Sequence, residues 1–195
     1  MPISAIIFGG RRTYLTPLIY ESFNWQHGVY VGATMASERT SAQFGKLGEV
    51  RFDPMAMLPF CGYNMGDYFE HWLEVGKDMV KPPRIFHVNW FKLDKKGKFL
   101  WPGYGENLRI LEWVLKRCND QVDAIKTPIG YIPKIEDINI EGLNLSKRAL
   151  EDLFLIDKKE WMEELERQHR FLETFSGSLP EEIWQEYEAL KKRLK

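Results

Sequence analysis

Ile85-Phe86-His87-Val88-Asn89-Trp90 is the clearest strand in this 195-residue chain. It is a short apolar run set off by Pro82-Pro83 before it and charged sequence after it, the pattern of a buried strand. A second run, Ile3-Ser4-Ala5-Ile6-Ile7-Phe8, closes on Gly9-Gly10 and reads as another buried strand with a turn behind it. Leu18-Ile19-Tyr20 is a third, shorter one. Helical stretches lie between and after the strands. Asn24 is placed to cap Trp25 to Met35, and Asn64 to cap a helix from Met65 to about Met79 with Tyr68, Trp72 and Val75 on one face. Glu106 to Cys118 offers Leu108, Leu111, Trp113 and Leu115 as apolar surface. Strands interleaved with helices predict a mixed α/β fold. Gly28 and Gly32 fall inside the first helix. Each costs about 1 kcal/mol relative to Ala there, so both predict close approach by another part of the chain.

The last third changes character. Ser146 caps a short helix to Phe154, Lys158 to Phe175 forms a longer one, and Pro180 opens a third at the first helical position. These helices are rich in Glu and Lys with one apolar stripe of Trp161, Leu165, His169 and Leu172. They are expected to cover the core and carry no chemistry. The expected division is a mixed α/β lobe over residues 1–135 and a helical segment over residues 136–195 packed on it. Two stretches are irregular. Ala36 to Gly48 is small, polar and Gly-rich, the length and composition of a surface loop or a lid. Asp53 to Asn64 is apolar despite its Pro, Gly and Asn, and is expected to be buried.

Composition narrows the function. Lys plus Arg is 27 against 28 Asp plus Glu, a net charge of −1, which lacks the basic footprint of a nucleic-acid binder. No apolar run approaches the roughly 20 residues of a membrane helix. Cys61 and Cys118 are far apart and form no metal or disulfide spacing, so a reducing cytoplasm is the expected compartment. The four histidines form no H-x-x-x-H or H-E-x-x-H pair, and no metal site is expected within the chain. The chain starts within about two residues of a strand, as the tail portion of a longer protein does. A lobe parted from its partner exposes apolar surface, which favours self-association. The unusual figure is 7 Trp, 8 Tyr and 12 Phe.

Five of those aromatics crowd one window: N-W-F-K-L-D-K-K-G-K-F-L-W-P-G-Y-G-E-N, Asn89 to Asn107. Trp90, Phe91, Phe99, Trp101 and Tyr104 are punctuated there by Gly and Pro. Flat rings on turns make a slot for a flat ligand such as a purine base, and Asn107 offers a donor and an acceptor to the base edge. The alternative is an aromatic mini-core under a long loop, with Asn107 as a helix cap. In Phe8-Gly9-Gly10-Arg11-Arg12, two arginines follow a double glycine at a strand's carboxyl end. Ligands bind at such ends of α/β sheets, and an arginine forks two N–H donors onto phosphate. A pair of surface arginines on a turn has the same pattern. No G-x-x-x-x-G-K-[ST] loop is present.

These strings, with W-Q-H-G-V-Y-V-G-A-T-M, D-P-M-A-M-L-P-F-C-G-Y-N-M-G-D-Y, I-F-H-V-N-W-F, G-K-F-L-W-P-G-Y-G-E-N and T-P-I-G-Y-I-P, resemble GTP-dependent phosphoenolpyruvate carboxykinase. The resemblance runs in order over essentially the whole chain and points to the C-terminal portion of a protein about three times longer. It implies the nucleotide-binding lobe of that mixed α/β fold. The implied reaction takes oxaloacetate and GTP to phosphoenolpyruvate, GDP and carbon dioxide, in gluconeogenesis, with Mn2+ or Mg2+. The resemblance puts the guanine pocket on Trp90, Phe91, Phe99, Tyr104 and Asn107, where the family usually has Phe at the position of Tyr104. Arg11 matches the arginine that contacts nucleotide phosphate. The family's mobile lid falls on Ala36 to Leu47, including Ser37, Glu38, Arg39, Thr40, Gly45 and Lys46, and Arg39 and Phe44 depart from its alanine-rich pattern. The triphosphate loop, the metal ligands, the reactive cysteine and the oxaloacetate-binding arginines of the family all lie upstream of this sequence. The chain alone is therefore expected to be inactive, and an inert guanine-nucleotide-binding fragment is the alternative to a working part of the enzyme.

Overall fold

A computed structural model describes residues 2–40 and 46–195, apart from the side chain of Ser176. β5 (Arg84–Val88) is flanked on both sides. It runs parallel to β1 (Ala5–Gly9) and antiparallel to β2 (Ile19–Glu21). A hairpin of β6 (Ile125–Thr127) and β7 (Gly130–Ile132) extends the sheet beyond β2, giving the order β1-β5-β2-β7-β6. The fold is mixed α/β, with a mixed sheet, six helices among the described residues and a helix at the end.

Ile85, Phe86, His87 and Val88 are all buried. β1 is not: its Ile7 is exposed, and Ile3, just before the strand, is 69% exposed. The strand expected there exists, but it sits at the sheet edge with β5 as its neighbour, so its outer side lacks a covering layer within the described residues.

α1 (Trp25–Ala33) packs on β5, and Asn24 caps it by accepting from the His27 N–H. Its two glycines are explained by contact. A Cβ at Gly28 would lie 2.4 Å from the Ile85 side chain, and one at Gly32 would lie 2.7 Å from the Phe8 ring. α2 (Met65–Lys77) is capped by Asn64, which accepts from the Gly66 N–H at 2.8 Å. Its buried residues are Met65, Gly66, Phe69 and Leu73, one position on from the expected face; Tyr68 and Trp72 flank the core and Val75 is exposed. In α3 (Asn107–Cys118) the packed residues are Ile110, Trp113 and Val114 at i, i+3 and i+4, whereas Leu108 and Leu115 face solvent. Of the expected surface, Trp113 alone lies fully in the core.

The apolar stretch before α2 is only half buried. Two short 3₁₀ turns, Pro54–Ala56 and Leu58–Phe60, carry Pro54 and Met55 inward while Phe60 is 76% exposed. Turns this short present no continuous face to the core.

α4 (Lys147–Phe154) starts at Ser146, whose Oγ accepts from the Ala149 N–H. α5 (Lys158–Leu172) is capped by Asp157 and passes into a 3₁₀ stretch, Glu173–Ser178, so it ends before the expected Phe175. Pro180 is the cap of α6 (Glu181–Leu194), not its first residue. Trp161, Leu165 and Leu172 pack inward as the stripe requires, and Ile183, Tyr187 and Leu190 of α6 join them. One buried cluster spans the sheet, α1 and these helices. His169 departs from the stripe: it is half-buried against Trp184 and Tyr187, and Glu164 and Gln168 are the buried polar residues of α5.

Candidate functional site

The chain leaves β5 through Asn89 and turns out at Trp90 and Phe91. It comes back through a single antiparallel bridge between Leu93 and Phe99. Asp94 shapes the intervening turn by accepting from the Lys96 and Lys98 N–H groups, which hold its carboxyl below the usual range. Phe99, Trp101 and Tyr104 follow, and α3 starts at Asn107. Trp90, Phe91, Phe99, Trp101, Tyr104 and Asn107 thereby line one open cavity of about 240 Å³. All five residues expected to form a base slot are brought together.

Tyr104 is 93% exposed and Phe99 56%, which no packing cluster tolerates at its centre, while Trp101 is buried beneath them. The rings do not face one another as expected. Phe91 and Phe99 meet edge to face, 6.2 Å between centroids and 67° between planes, the arrangement that ring quadrupoles prefer.

Trp101 donates its indole N–H to Asn107 Oδ1 at 2.9 Å. An indole is only a donor, so the bond fixes which end of the amide faces it. Asn107 is the first residue of α3, with Glu106 at the cap position, and its side-chain hydrogen bond is the one to Trp101. Its Oδ1 accepts from Trp101, and no hydrogen bond of its N–H2 group is found among the described residues.

The arginine doublet splits into two environments. Gly10 has no room for a Cβ, which would lie 2.5 Å from the Ala36 carbonyl oxygen. Arg11 is half-buried, and its guanidinium lies 4.6 Å above the Phe91 ring. Its backbone is bracketed: the Arg11 N–H donates to Ser37 Oγ at 3.1 Å and the Glu38 N–H donates to the Arg11 carbonyl at 2.8 Å. Arg12 is buried, with two bonds to Glu164 of α5 at 2.7 and 3.2 Å. Asn89 is fully buried behind both. It accepts from the Arg12 and Phe91 N–H groups and donates to the carbonyls of Arg12 and Thr16. One amide therefore ties the arginine turn to the aromatic slot. No short motif flags Asn89 or Trp101, and the sequence reading left their positioning roles unassigned.

The stretch expected as an aperiodic loop or lid begins as structure. β3 (Ala36–Glu38) pairs antiparallel with β4 (Val50–Phe52). Glu38 is buried and accepts from both the N–H and the hydroxyl of Thr13. Arg39 pairs with Glu49, and Thr40 and Lys46 are exposed. Gly45 and Phe44 lie outside the described residues. The reason for the difference is the alternation of buried Ala36 and Glu38 about Ser37, a strand pattern too short to register by sequence.

His27 and His87 are buried, and burial lowers each pKa to about 3, assisted by Arg193 and Arg12 respectively. Both are neutral packing residues. Among the described residues, no three His, Cys, Asp or Glu side chains converge as a metal site requires, and no helix is long and apolar enough to cross a membrane.

Comparison with known proteins identifies the family. Residues 1–193 match the family model described as phosphoenolpyruvate carboxykinase C-terminal P-loop domain. The chain is 52% identical over 194 residues to a protein of Thermoplasma volcanium named phosphoenolpyruvate carboxykinase [GTP], covering 100% of this chain and 32% of that one. It is 48% identical over 197 residues to a protein of the same name from Chlamydia caviae, and 49% identical over 197 residues to one from Chlamydia muridarum. Each of these two alignments takes in 100% of this chain and 33% of the relative. The chain thus spans about a third of the length of the curated relatives it matches. It belongs to the family of GTP-dependent phosphoenolpyruvate carboxykinases and corresponds to their C-terminal domain.

Proposed function

We propose that this chain supplies the guanine-recognising part of a carboxykinase that converts oxaloacetate and GTP to phosphoenolpyruvate, GDP and carbon dioxide. The observation that carries this reading is the Trp101–Asn107 bond beneath an exposed aromatic slot. Rings stack on either purine with similar energy, so they hold a base without choosing it. The choice falls to the edge. Guanine presents an acceptor where adenine presents a donor, and Asn107, with its oxygen held by Trp101, has N–H groups left to offer. An adenine amino group would face those donors with both sides unpaired, at about 1–3 kcal/mol per buried group.

Arg11 extends the site toward phosphate. Stacking on Phe91 orients its planar fork and leaves its N–H donors for the polyphosphate. Charge migrates from the transferred phosphoryl group to the leaving diphosphate during transfer, so an arginine there acts on turnover as well as binding. Ser37 and Glu38 bind the Arg11 backbone at the root of the segment that matches the family's lid, which joins lid and arginine mechanically. The divalent metal implied by the resemblance finds no ligand set among the described residues, and no step is assigned through it.

The chain alone binds nucleotide without turning it over, because the phosphate loop and metal supply most of the stabilisation in phosphoryl transfer and its sequence carries no G-x-x-x-x-G-K-[ST] motif. The test compares phosphoenolpyruvate formation by the 195-residue chain with that of a full-length carboxykinase in which this chain is the C-terminal third. Activity is expected in the second alone, with GTP preferred to ATP. A full-length enzyme that uses the two nucleotides equally contradicts the assignment of the slot.

A further inference from the structure

The geometry points to Glu164, in the helical segment, as a positioning residue for the phosphate arginine Arg11, acting through Arg12. This inference rests on the reading of Arg11 given above.

Glu164 is 1% exposed and lies 152 positions from Arg12 in sequence. Its two oxygens take two separate N–H groups of the Arg12 guanidinium, at 2.7 and 3.2 Å, and Arg167 forms a second ion pair with it. A buried ion pair contributes little net stability, because desolvation of both charges offsets their attraction. Its geometric effect is larger. A bidentate fork fixes the Arg12 side chain in one orientation. The Arg12 backbone is fixed as well, since both its N–H and its carbonyl bond to the Asn89 amide. Residue 12 is thus held at side chain and main chain, with its side chain directed into the core.

The two guanidinium groups are held apart, that of Arg12 on Glu164 and that of Arg11 over the Phe91 ring. With Arg12 drawn inward by Glu164, Arg11 is turned outward over Phe91 at the edge of the slot. Either arginine of the doublet has the chemistry to meet phosphate. Glu164 decides which one does, by occupying the other. Loss of its charge leaves Arg12 buried against an uncharged partner, and the turn that carries Arg11 relaxes toward solvent.

The test is a cycle in the full-length enzyme, measuring kcat, KM for GTP and competitive inhibition by guanosine. Glu164→Gln is expected to lower kcat about tenfold, within the coupling range of contacting residues, and to leave guanosine inhibition unchanged. In an Arg11→Ala background the same substitution is expected to change kcat by less than about twofold. Ile183→Val in α6, matched for loss of Tm, provides a comparison for general loosening of the helices and is expected to keep kcat. If Glu164→Gln lowers kcat equally in both backgrounds, Glu164 acts without Arg11 and the proposal is overturned. If Arg11→Ala alone leaves kcat intact, the phosphate reading of Arg11 fails instead. Should Glu164→Gln not fold, Arg12→Lys carries the same cycle: it keeps a cation opposite Glu164 and gives up the second bond of the fork.

Discussion

Trp101 holds Asn107 by a single hydrogen bond, indole N–H to Oδ1 at 2.9 Å, and that bond links a core residue to the mouth of the aromatic slot. The amide is presented with one face chosen in advance. Preorganisation of this kind is what lets a site discriminate rather than only bind.

Arg11→Ala in the full-length enzyme is expected to lower kcat more than it raises KM for GTP. A lost charge-assisted hydrogen bond costs roughly 1.5–3 kcal/mol, about 10- to 150-fold. Arg11→Lys keeps the charge but gives up the planar stack on Phe91, and an intermediate kcat is expected. Steady-state kinetics with varied GTP checks both. A raised KM with kcat intact would restrict Arg11 to ground-state binding.

Tyr104 separates stacking from polarity. Its ring is almost fully exposed and its hydroxyl makes no hydrogen bond among the described residues. Tyr104→Phe is expected to leave GDP affinity within about twofold, whereas Tyr104→Ala removes a stacking face worth roughly 1–3 kcal/mol. Calorimetric titration with GDP measures each. A large loss in Tyr104→Phe would show that the hydroxyl, not the ring, contacts the ligand.

The two buried histidines set an acid limit to stability. His27 also accepts from the Phe23 N–H at 3.0 Å, which requires its neutral form. Their pKa of about 3 lies below the unfolded value of 6.5, so between those limits the unfolded chain binds more protons. Stability is therefore complete above pH 6.5 and falls as pH drops toward 3, by up to about 1.4 kcal/mol per pH unit for each histidine. Urea midpoints of the wild type and of His27→Phe, measured at pH 7.5 and about 5, isolate one contribution. The wild type is expected to lose more on acidification; equal losses would show that His27 is protonated when folded.

The fold was legible where local chemistry and periodicity agree. Asn24, Asn64 and Ser146 cap helices because a short polar side chain before an apolar run has few other uses. Gly28 and Gly32 signalled contact because glycine inside a helix needs a reason. Faces were harder: the apolar residues of α3 include Leu108 and Leu115, and nothing local says that Ile110 and Val114 go inward instead. β1 read as buried because an edge strand and a central strand can share one composition, and the difference is made by distant chain. The aromatic window pointed to residues that share one cavity, but not to the bond beneath it. That Asn107 bonds Trp101, that Asn89 ties two loops and that Arg12 reaches Glu164 are all relationships created by folding, and the last spans most of the chain.

Asn107→Asp in the full-length enzyme, with kcat/KM measured for GTP and for ATP, tests the guanine assignment most directly. The substitution exchanges one N–H2 group for an oxygen. The carboxylate still accepts from Trp101, and an acid in the first turn of α3 suits the helix dipole, so the fold is not challenged. The donors toward the base edge are gone, and an acceptor takes their place. The expected result is a loss of about tenfold or more with GTP while ATP holds or gains, narrowing the ratio between them. An unchanged ratio, with both nucleotides falling together or neither falling, would contradict the claim that Asn107 selects guanine.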